Sequence, residues 1–134
     1  MELTFTIPGN PRSKKNSQQI VRPKGRPPVI VQSKVYKEYE KACKQYVPKL
    51  DEPISCPCNI EAVFYRMDRR RVDLTNLLAA LADILVKYGV LADDNRNIIY
   101  TLNNSKVLYD KDSPRTEVRI SEVAEEDFEA WDLK

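Results

Sequence analysis

Several segments of the chain alternate apolar and polar residues, as half-buried β-strands do. The alternation is clearest over residues 2–7, 58–65 and 116–120. A further apolar segment covers residues 97–107 and is interrupted by polar residues at 103–105. Because a period of two places every second side chain on the same face of a strand, these segments predict one sheet with a buried face.

Two other segments carry apolar residues at three- and four-residue spacings, which predicts helices with one buried face. Ser33 is a suitable N-cap for a helix over about residues 34–46. The longer helix follows Asp73, an N-cap whose side chain is expected to accept backbone N–H groups, and ends at Gly89. Its apolar face consists of Leu74, Leu77, Leu78, Leu81, Ile84, Leu85 and Tyr88. Strands and helices together predict an α/β (α+β) fold, a mixed β-sheet with two main helices packed on it.

The length of 134 residues fits one domain, which we place over residues 1–122, followed by an acidic tail over 123–134. The tail is either a short docking helix or a loose end. Met1 leads directly into a strand-like segment, and no apolar run reaches the length of a membrane span. We therefore expect a cytoplasmic protein without membrane association.

A net charge of +2 conceals a strongly basic first third of the chain. Eleven lysines and arginines between residues 12 and 49 stand against only Glu38 and Glu40. Part of this charge lies in a long Pro-rich loop with short strands predicted at residues 19–22 and 29–32. The pattern favours a surface that binds nucleic acid, with a solvated lysine-rich face as the alternative. Three residues of the loop can donate to phosphate oxygens: Lys14, Lys15 and Asn16.

The chain contains no histidine, which excludes Ser-His-Asp and Cys-His catalysis and histidine-based nucleases. Its three cysteines, Cys43, Cys56 and Cys58, are an odd number without a secretory signal, so reduced thiols are expected. The Cys-Pro-Cys spacing is also too short for a usual zinc pair. Acid–base chemistry must therefore use carboxylates, lysine, tyrosine or an activated water.

Carboxylates gather along and after the longer helix. Asp73 and Asn76 lie in its first turn, Asp83 lies on nearly the same face as Asn76, and Asp93 and Asp94 follow its end. Clustered carboxylates repel one another, and the usual compensation is a hard divalent cation, most often Mg²⁺. Four arginines suited to phosphate lie just upstream: Arg66, Arg69, Arg70 and Arg71.

A structural interpretation of the same residues stays open at this point. Asp73 could be only a cap, and Asp83 could form an i, i+4 pair with Lys87 on a solvated face. Asp93 and Asp94 could simply belong to a turn.

The order of these motifs resembles the RusA family of Holliday-junction resolvases of bacteria and prophages. The resemblance is carried by the arginine-rich approach, Asp-Leu-x-Asn at 73–76, the leucine-rich helix with Asp83, and Gly-Val-Leu-x-Asp-Asp at 89–94. It implies a small homodimeric, Mg²⁺-dependent endonuclease, with Mn²⁺ as a substitute, that cuts four-way DNA junctions in recombination and repair. Asp73 and Asp94 take the positions of the family's catalytic aspartates.

The charge pattern, taken together with the resemblance, predicts roles for the neighbouring residues. The metal ligands would come from Asp73, Asp83, Asp93 and Asp94, the DNA contacts from Lys14, Lys15, Asn16, Arg69, Arg70 and Arg71, and support from Thr75 and Asn76. Thr75 replaces a second aspartate of the family pattern, and Ala79 stands where a lysine is common. Because threonine offers a hydroxyl but no charge, metal affinity and catalysis are the properties most affected. Two rivals remain: a catalytically weakened junction- or duplex-binding protein, and a scaffold that binds another protein through Phe128 and Trp131.

The length of the helix bears on how such a site could form. A helix of about 15 residues spans roughly 22 Å, and six residues reach back at most about 20 Å. Asp73 and Asp94 can therefore meet only if the chain doubles back or a second subunit contributes one of them. Symmetric cutting also needs a twofold axis, so a homodimer is expected.

Overall fold

The structure is a computed structural model, and it describes residues 1–14, 18–129 and 132. Lys15, Asn16 and Trp131, all named above as candidate contacts, lie outside these residues. The strands are β1 (Glu2–Pro8), β2 (Gln18–Val21), β3 (Val29–Gln32), β4 (Cys58–Arg66), β5 (Ile99–Thr101), β6 (Lys106–Tyr109) and β7 (Arg115–Glu122), and the α-helices are α1 (Lys34–Cys43) and α2 (Leu74–Lys87). In the described part of the chain, no helix has the length and apolar character to cross a membrane.

Five described strands form the main sheet, in the order β1-β7-β4-β5, with β6 also pairing β4. Strand β7 runs antiparallel to both β1 and β4. Strands β5 and β6 run parallel to β4 and share one of its edges, β5 at Cys58–Asn59 and β6 at Val63–Arg66. The prediction of a mixed sheet in a single α+β domain is confirmed. The segment over 97–107 is two strands because the polar residues at its centre form a turn.

The core lies between one face of the sheet and the two helices. Alternating residues of β4 point into it, as the sequence predicted, and the apolar face of α2 covers them; the buried set includes Ile60, Ala62, Phe64, Leu77, Leu81, Ile84 and Leu85. Fully burying a leucine or isoleucine side chain contributes roughly 1.5–3 kcal/mol. This burial therefore fixes α2 on the sheet.

Both ends of α2 lie where the sequence predicted them, but one of the predicted contacts is different. Asp73 is the N-cap residue, yet its side chain makes no capping hydrogen bond. The expectation that it accepts backbone N–H groups was wrong, because its carboxylate accepts a hydrogen bond from the Asn76 amide at 3.1 Å instead. Gly89 follows the helix with φ of +79°, a left-handed conformation that glycine adopts without strain.

Helix α1 is shorter than predicted. Ser33 is its N-cap, and the hydroxyl accepts from the Tyr36 N–H at 3.1 Å, as expected. The helix ends at Cys43 rather than at residue 46, because the chain turns at Lys44–Tyr46 and leaves Tyr46 42% exposed. Tyr36 is wholly buried and belongs to the core.

The acidic tail packs against the domain over its described residues. A short 3₁₀ turn at Glu125–Asp127 leads to Phe128, whose ring meets the ring of Tyr100 edge to face at 5.2 Å. Asp132 then forms a salt bridge with Arg96 at 2.5 Å. Over residues 123–129 and 132 the tail thus contacts the domain through single side chains, and no α-helix is present in these described residues.

Candidate functional site

The basic loop after β1 is tied to the end of β4. The guanidinium of Arg66 donates to the Pro11 carbonyl, and the backbone N–H of Met67 donates to the Asn10 side chain at 2.9 Å. Burial lowers the pKa of Arg66 from its ordinary value. Because Arg66 is occupied in this way, it holds the loop and is poorly placed to bind a ligand.

This tether delivers Lys14 to α2, where its ammonium lies 3.0 Å from the carboxylate of Asp83. The pair borders a groove of about 430 Å³, which we call the acidic groove; its lining residues are Lys14, Glu40, Asp83, Val86, Lys87 and Asp94. The proposed i, i+4 pair of Asp83 with Lys87 is wrong, because Lys87 instead pairs with Glu40 of α1 at 2.6 Å. The hydrogen bond to Glu40 raises the pKa of Lys87.

Asp94 reaches the acidic groove because the chain reverses after Gly89. The backbone N–H groups of Val90 and Leu91 both donate to the Leu85 carbonyl, at 2.8 and 3.2 Å. The turn that follows is organised by Asp93, whose carboxylate accepts from the Asp94 backbone N–H at 2.7 Å and from the Asn95 amide at 3.2 Å. Asp93 is thus engaged in the turn, while the side chain of Asp94 lines the groove.

The acidic groove is negative on balance. Among its described lining residues, three carboxylates stand against two ammonium groups. Tyr36 lies close by: burial raises its pKa, and the charges of Glu40 and Asp83 raise it further. Its buried hydroxyl has no hydrogen-bond partner among the described residues. The phenol therefore stays protonated and leaves the groove's negative charge unchanged.

The predicted arginines gather at the other end of α2. They border a cleft of about 420 Å³, which we call the arginine cleft; its lining residues are Arg66, Asp68, Arg69, Arg70, Arg71, Val72, Val107, Leu108 and Tyr109. The guanidinium of Arg69 lies 4.3 Å from the centre of the Tyr109 ring, which holds its plane in place. Arg70 and Arg71 are exposed. Guanidinium groups in this setting suit phosphate oxygens.

Asp73 follows the arginine cleft and lies apart from the acidic groove. It precedes Asp83 by ten residues, which corresponds to about 15 Å along a helix axis. The doubling back of the chain therefore brings Asp94 level with Asp83 and not with Asp73. Thr75 is exposed and Asn76 is engaged with Asp73, so both remain beside that first carboxylate.

The carboxylates of the site fit Mg²⁺ only in part. No three His, Cys, Asp or Glu side chains come together in a metal-binding group among the described residues. Mg²⁺ usually keeps several waters and binds proteins through one or two carboxylates together with substrate phosphates. Asp83 and Asp94, whose side chains line one groove, fit that mode and do not fit a closed protein cage.

Two residues that shape the acidic groove and the arginine cleft were not predicted from the sequence. Glu40 reaches the acidic groove from α1, and Tyr109 supports Arg69 from β6. Glu40 did carry a signal, because it is one of only two acids between residues 12 and 49. Tyr109 carried none, since its place depends on the parallel pairing of β6 with β4.

An α+β domain with a carboxylate-lined groove near one end of a helix and a cluster of arginines just before the start of that helix defines a class of small proteins suited to acting on a phosphate backbone. The family model described as endodeoxyribonuclease RusA matches residues 8–121. The chain belongs to the RusA endodeoxyribonuclease family, which supports nuclease activity with DNA as the partner. A search of curated proteins found no match. The acidic tail follows the matched range.

Proposed function

We propose that the protein is a Mg²⁺-dependent endonuclease that cuts four-way DNA junctions as a homodimer. The observation that carries this proposal is the family match over residues 8–121, which spans both ends of α2 and the Asp93–Asp94 turn. The pairing of an acidic groove with an arginine cleft gives independent support, because metal-dependent phosphodiester hydrolysis uses carboxylates to hold the ion and cationic groups to bind the phosphate.

In this proposal the arginine cleft binds the DNA backbone and sets the position of the scissile phosphate. Asp94 and Asp83 would hold the ion, and the second subunit would contribute Asp73. When bound there, the ion would lower the pKa of the attacking water and offset charge on the phosphate. Lys14 balances Asp83 in the free protein, at 3.0 Å, and can turn its ammonium towards an incoming phosphate.

A homodimer is supported by the separation of the acids. Asp73 stands about 15 Å from Asp83 along the helix axis, so one chain does not assemble all the proposed ligands around one ion. Two subunits related by a twofold axis would provide two equivalent sites, which symmetric cutting of a junction requires. Sedimentation at micromolar concentration tests this: an active protein that is strictly monomeric would contradict the shared site.

The activity is tested with a synthetic four-way junction and a linear duplex of the same sequence. With Mg²⁺ we expect paired cuts in the junction and little cutting of the duplex, and with EDTA no cuts. Equal cutting of both substrates would refute selectivity for junctions, and cutting that survives EDTA would refute the need for a metal.

A second candidate is a DNA-binding protein of the same fold with weakened catalysis. It is favoured by Thr75, which carries no charge where the family pattern has an aspartate. A gel shift of the junction without cleavage in Mg²⁺ or Mn²⁺ would support this candidate. If Thr75→Asp then introduced cleavage, the missing charge would be identified as the cause.

A further inference from the structure

The β2–β3 hairpin carries apolar side chains that the domain does not cover. In its antiparallel register Ile20 faces Ile30, and Val21 faces Val29. Ile20 and Ile30 are 62% and 67% exposed, whereas Val21 and Val29, on the opposite face, are 40% and 46% exposed. Strand alternation thus produces one strongly exposed face, the Ile20–Ile30 pair. Water-exposed isoleucines opposite each other on a two-stranded sheet mark a contact surface.

The tip of the hairpin is basic and stiff. Arg22, Lys24 and Arg26 are all exposed there, and the sequence has no acidic residue between positions 12 and 37. Pro23 precedes a tight turn that includes Gly25 at φ of +75°, and the Arg26 N–H donates to the Pro23 carbonyl at 3.2 Å. Two more prolines, at 27 and 28, lead into β3. A pre-formed tip of this kind loses little conformational entropy when it binds.

We propose that this hairpin is a DNA-binding arm: its basic tip contacts backbone phosphates while the Ile20–Ile30 pair packs against bases at the branch point of the DNA. The proposal rests on the proposed function and deepens it by assigning the selectivity for branched DNA to named residues. Charge complementarity selects the partner, because three cations without a nearby acid suit a polyanion.

The apolar pair suits a branch point better than a continuous duplex. In a duplex the bases are stacked, and an inserted apolar side chain must first separate two of them at a free-energy cost. At a crossover the stacking between neighbouring arms is weaker than the stacking inside a duplex, so the same side chains can separate two bases there at a lower cost. The Ile20–Ile30 pair therefore recognises the shape of the DNA rather than its sequence.

A second copy of this chain is a poorer occupant of the same surface. Hairpins packed against each other through their isoleucines would bring two basic tips close together without intervening acids. Like charges in that position repel, and the repulsion is strongest at low salt. DNA can bind both features of the hairpin, because its phosphates suit the basic tip and its bases suit the apolar face.

The test is a pair of double variants measured for binding without cleavage, in EDTA. Ile20→Thr with Ile30→Thr keeps β-branched side chains, so the hairpin is expected to form, but removes most of the apolar surface. We expect its preference for junction over duplex to fall roughly tenfold, with duplex affinity unchanged. Val21→Thr with Val29→Thr, the matched control on the opposite face, is expected to change the preference by less than about twofold.

A second readout follows the bases themselves. A 2-aminopurine placed at the junction centre should become brighter when the unmodified protein binds, because the base loses its stacking, and the increase should disappear with the isoleucine variant. An unchanged junction preference and an unchanged fluorescence increase would overturn the proposal. An isoleucine variant that becomes monomeric while the unmodified protein is dimeric would overturn it too, and would assign the face to self-association.

Failure of this inference is distinguishable from failure of the proposed function. If the unmodified protein cuts junctions and both double variants behave alike, only the arm is wrong. If the unmodified protein neither prefers nor cuts junctions, the proposed function is wrong and the arm falls with it.

Discussion

Asp94→Asn is the most informative single change, because the Asp94 side chain lines the acidic groove and no hydrogen bond or salt bridge ties its carboxylate to the other described residues. The hydrogen bond of the Asp93–Asp94 pair uses the Asp94 backbone N–H, not its carboxylate. Asparagine has nearly the same shape, so the free energy of unfolding is expected to change by no more than about 0.5 kcal/mol. Any larger loss of activity then reports on chemistry rather than on folding.

The charge count of the groove sets the size of the binding effect. Its described lining residues carry three carboxylates and two ammonium groups, so the substitution takes the local charge from −1 to zero. A unit charge about 10 Å from a phosphate, with salt screening, is worth less than about 1 kcal/mol. Affinity for a junction should therefore rise by at most about fivefold. Loss of a metal-binding carboxylate should instead lower the cleavage rate by at least about 100-fold.

Asp93→Asn is the matched control, since it removes the same charge one residue away. Its side-chain oxygen can still accept the Asp94 N–H, so the turn is preserved. Junction affinity is expected to rise equally in both variants, whereas cleavage falls much more in Asp94→Asn. Binding is measured by titration in EDTA, and cleavage by single-turnover kinetics across Mg²⁺ concentrations. A folded Asp94→Asn protein with full activity, or equal losses in the two variants, would refute the assignment of Asp94.

Two further predictions concern other charged side chains of the protein. Asp132→Asn removes the carboxylate of the Arg96–Asp132 salt bridge. We expect one added phosphate contact of this region, which should steepen the salt dependence of DNA affinity by about 0.9 in a log–log plot. Glu126→Gln, an equal loss of charge in the same tail, should leave the slope unchanged. Equal slopes for the two variants would contradict the role of Arg96. Lys14→Met should weaken junction binding and cleavage. Adding Ala79→Lys to the Lys14→Met protein should restore part of the binding and part of the cleavage. If neither recovers, the position of the ammonium group matters more than its presence.

The strands and helices of the fold were predictable because buried side chains recur with the period of each element, every second residue in a strand and every three or four residues in a helix. Residues 58–65 alternate in sequence and in exposure, and the apolar face of α2 is the buried one. The pairing of the strands was not predictable: β5 and β6 share one edge of β4, and no local pattern encodes which residues meet across 40 positions of sequence. The early end of α1 was missed because Tyr46 continues the helical spacing while the backbone turns.

The candidate site shows the same division between local and distant contacts. The Asp93–Asp94 turn and the reversal after Gly89 could be read from neighbouring residues. The partner of Asp83 could not, since Lys14 lies 69 residues earlier and reaches it only because Arg66 anchors the loop. The i, i+4 spacing suggested Lys87 as the partner of Asp83, but in the structure Asp83 pairs with Lys14 and Lys87 pairs with Glu40.

That distant contact bears on how this chain departs from its family's pattern. On α2, positions 79 and 83 are one turn apart on the same face. Ala79 stands where a lysine is common, and the ammonium of Lys14 lies 3.0 Å from Asp83. The helix face that lacks its own lysine thus receives an ammonium from the loop after β1. Because Lys14 is held by a loop rather than by the helix, its charge can follow the phosphate as DNA enters, which a lysine fixed on a helix does less freely.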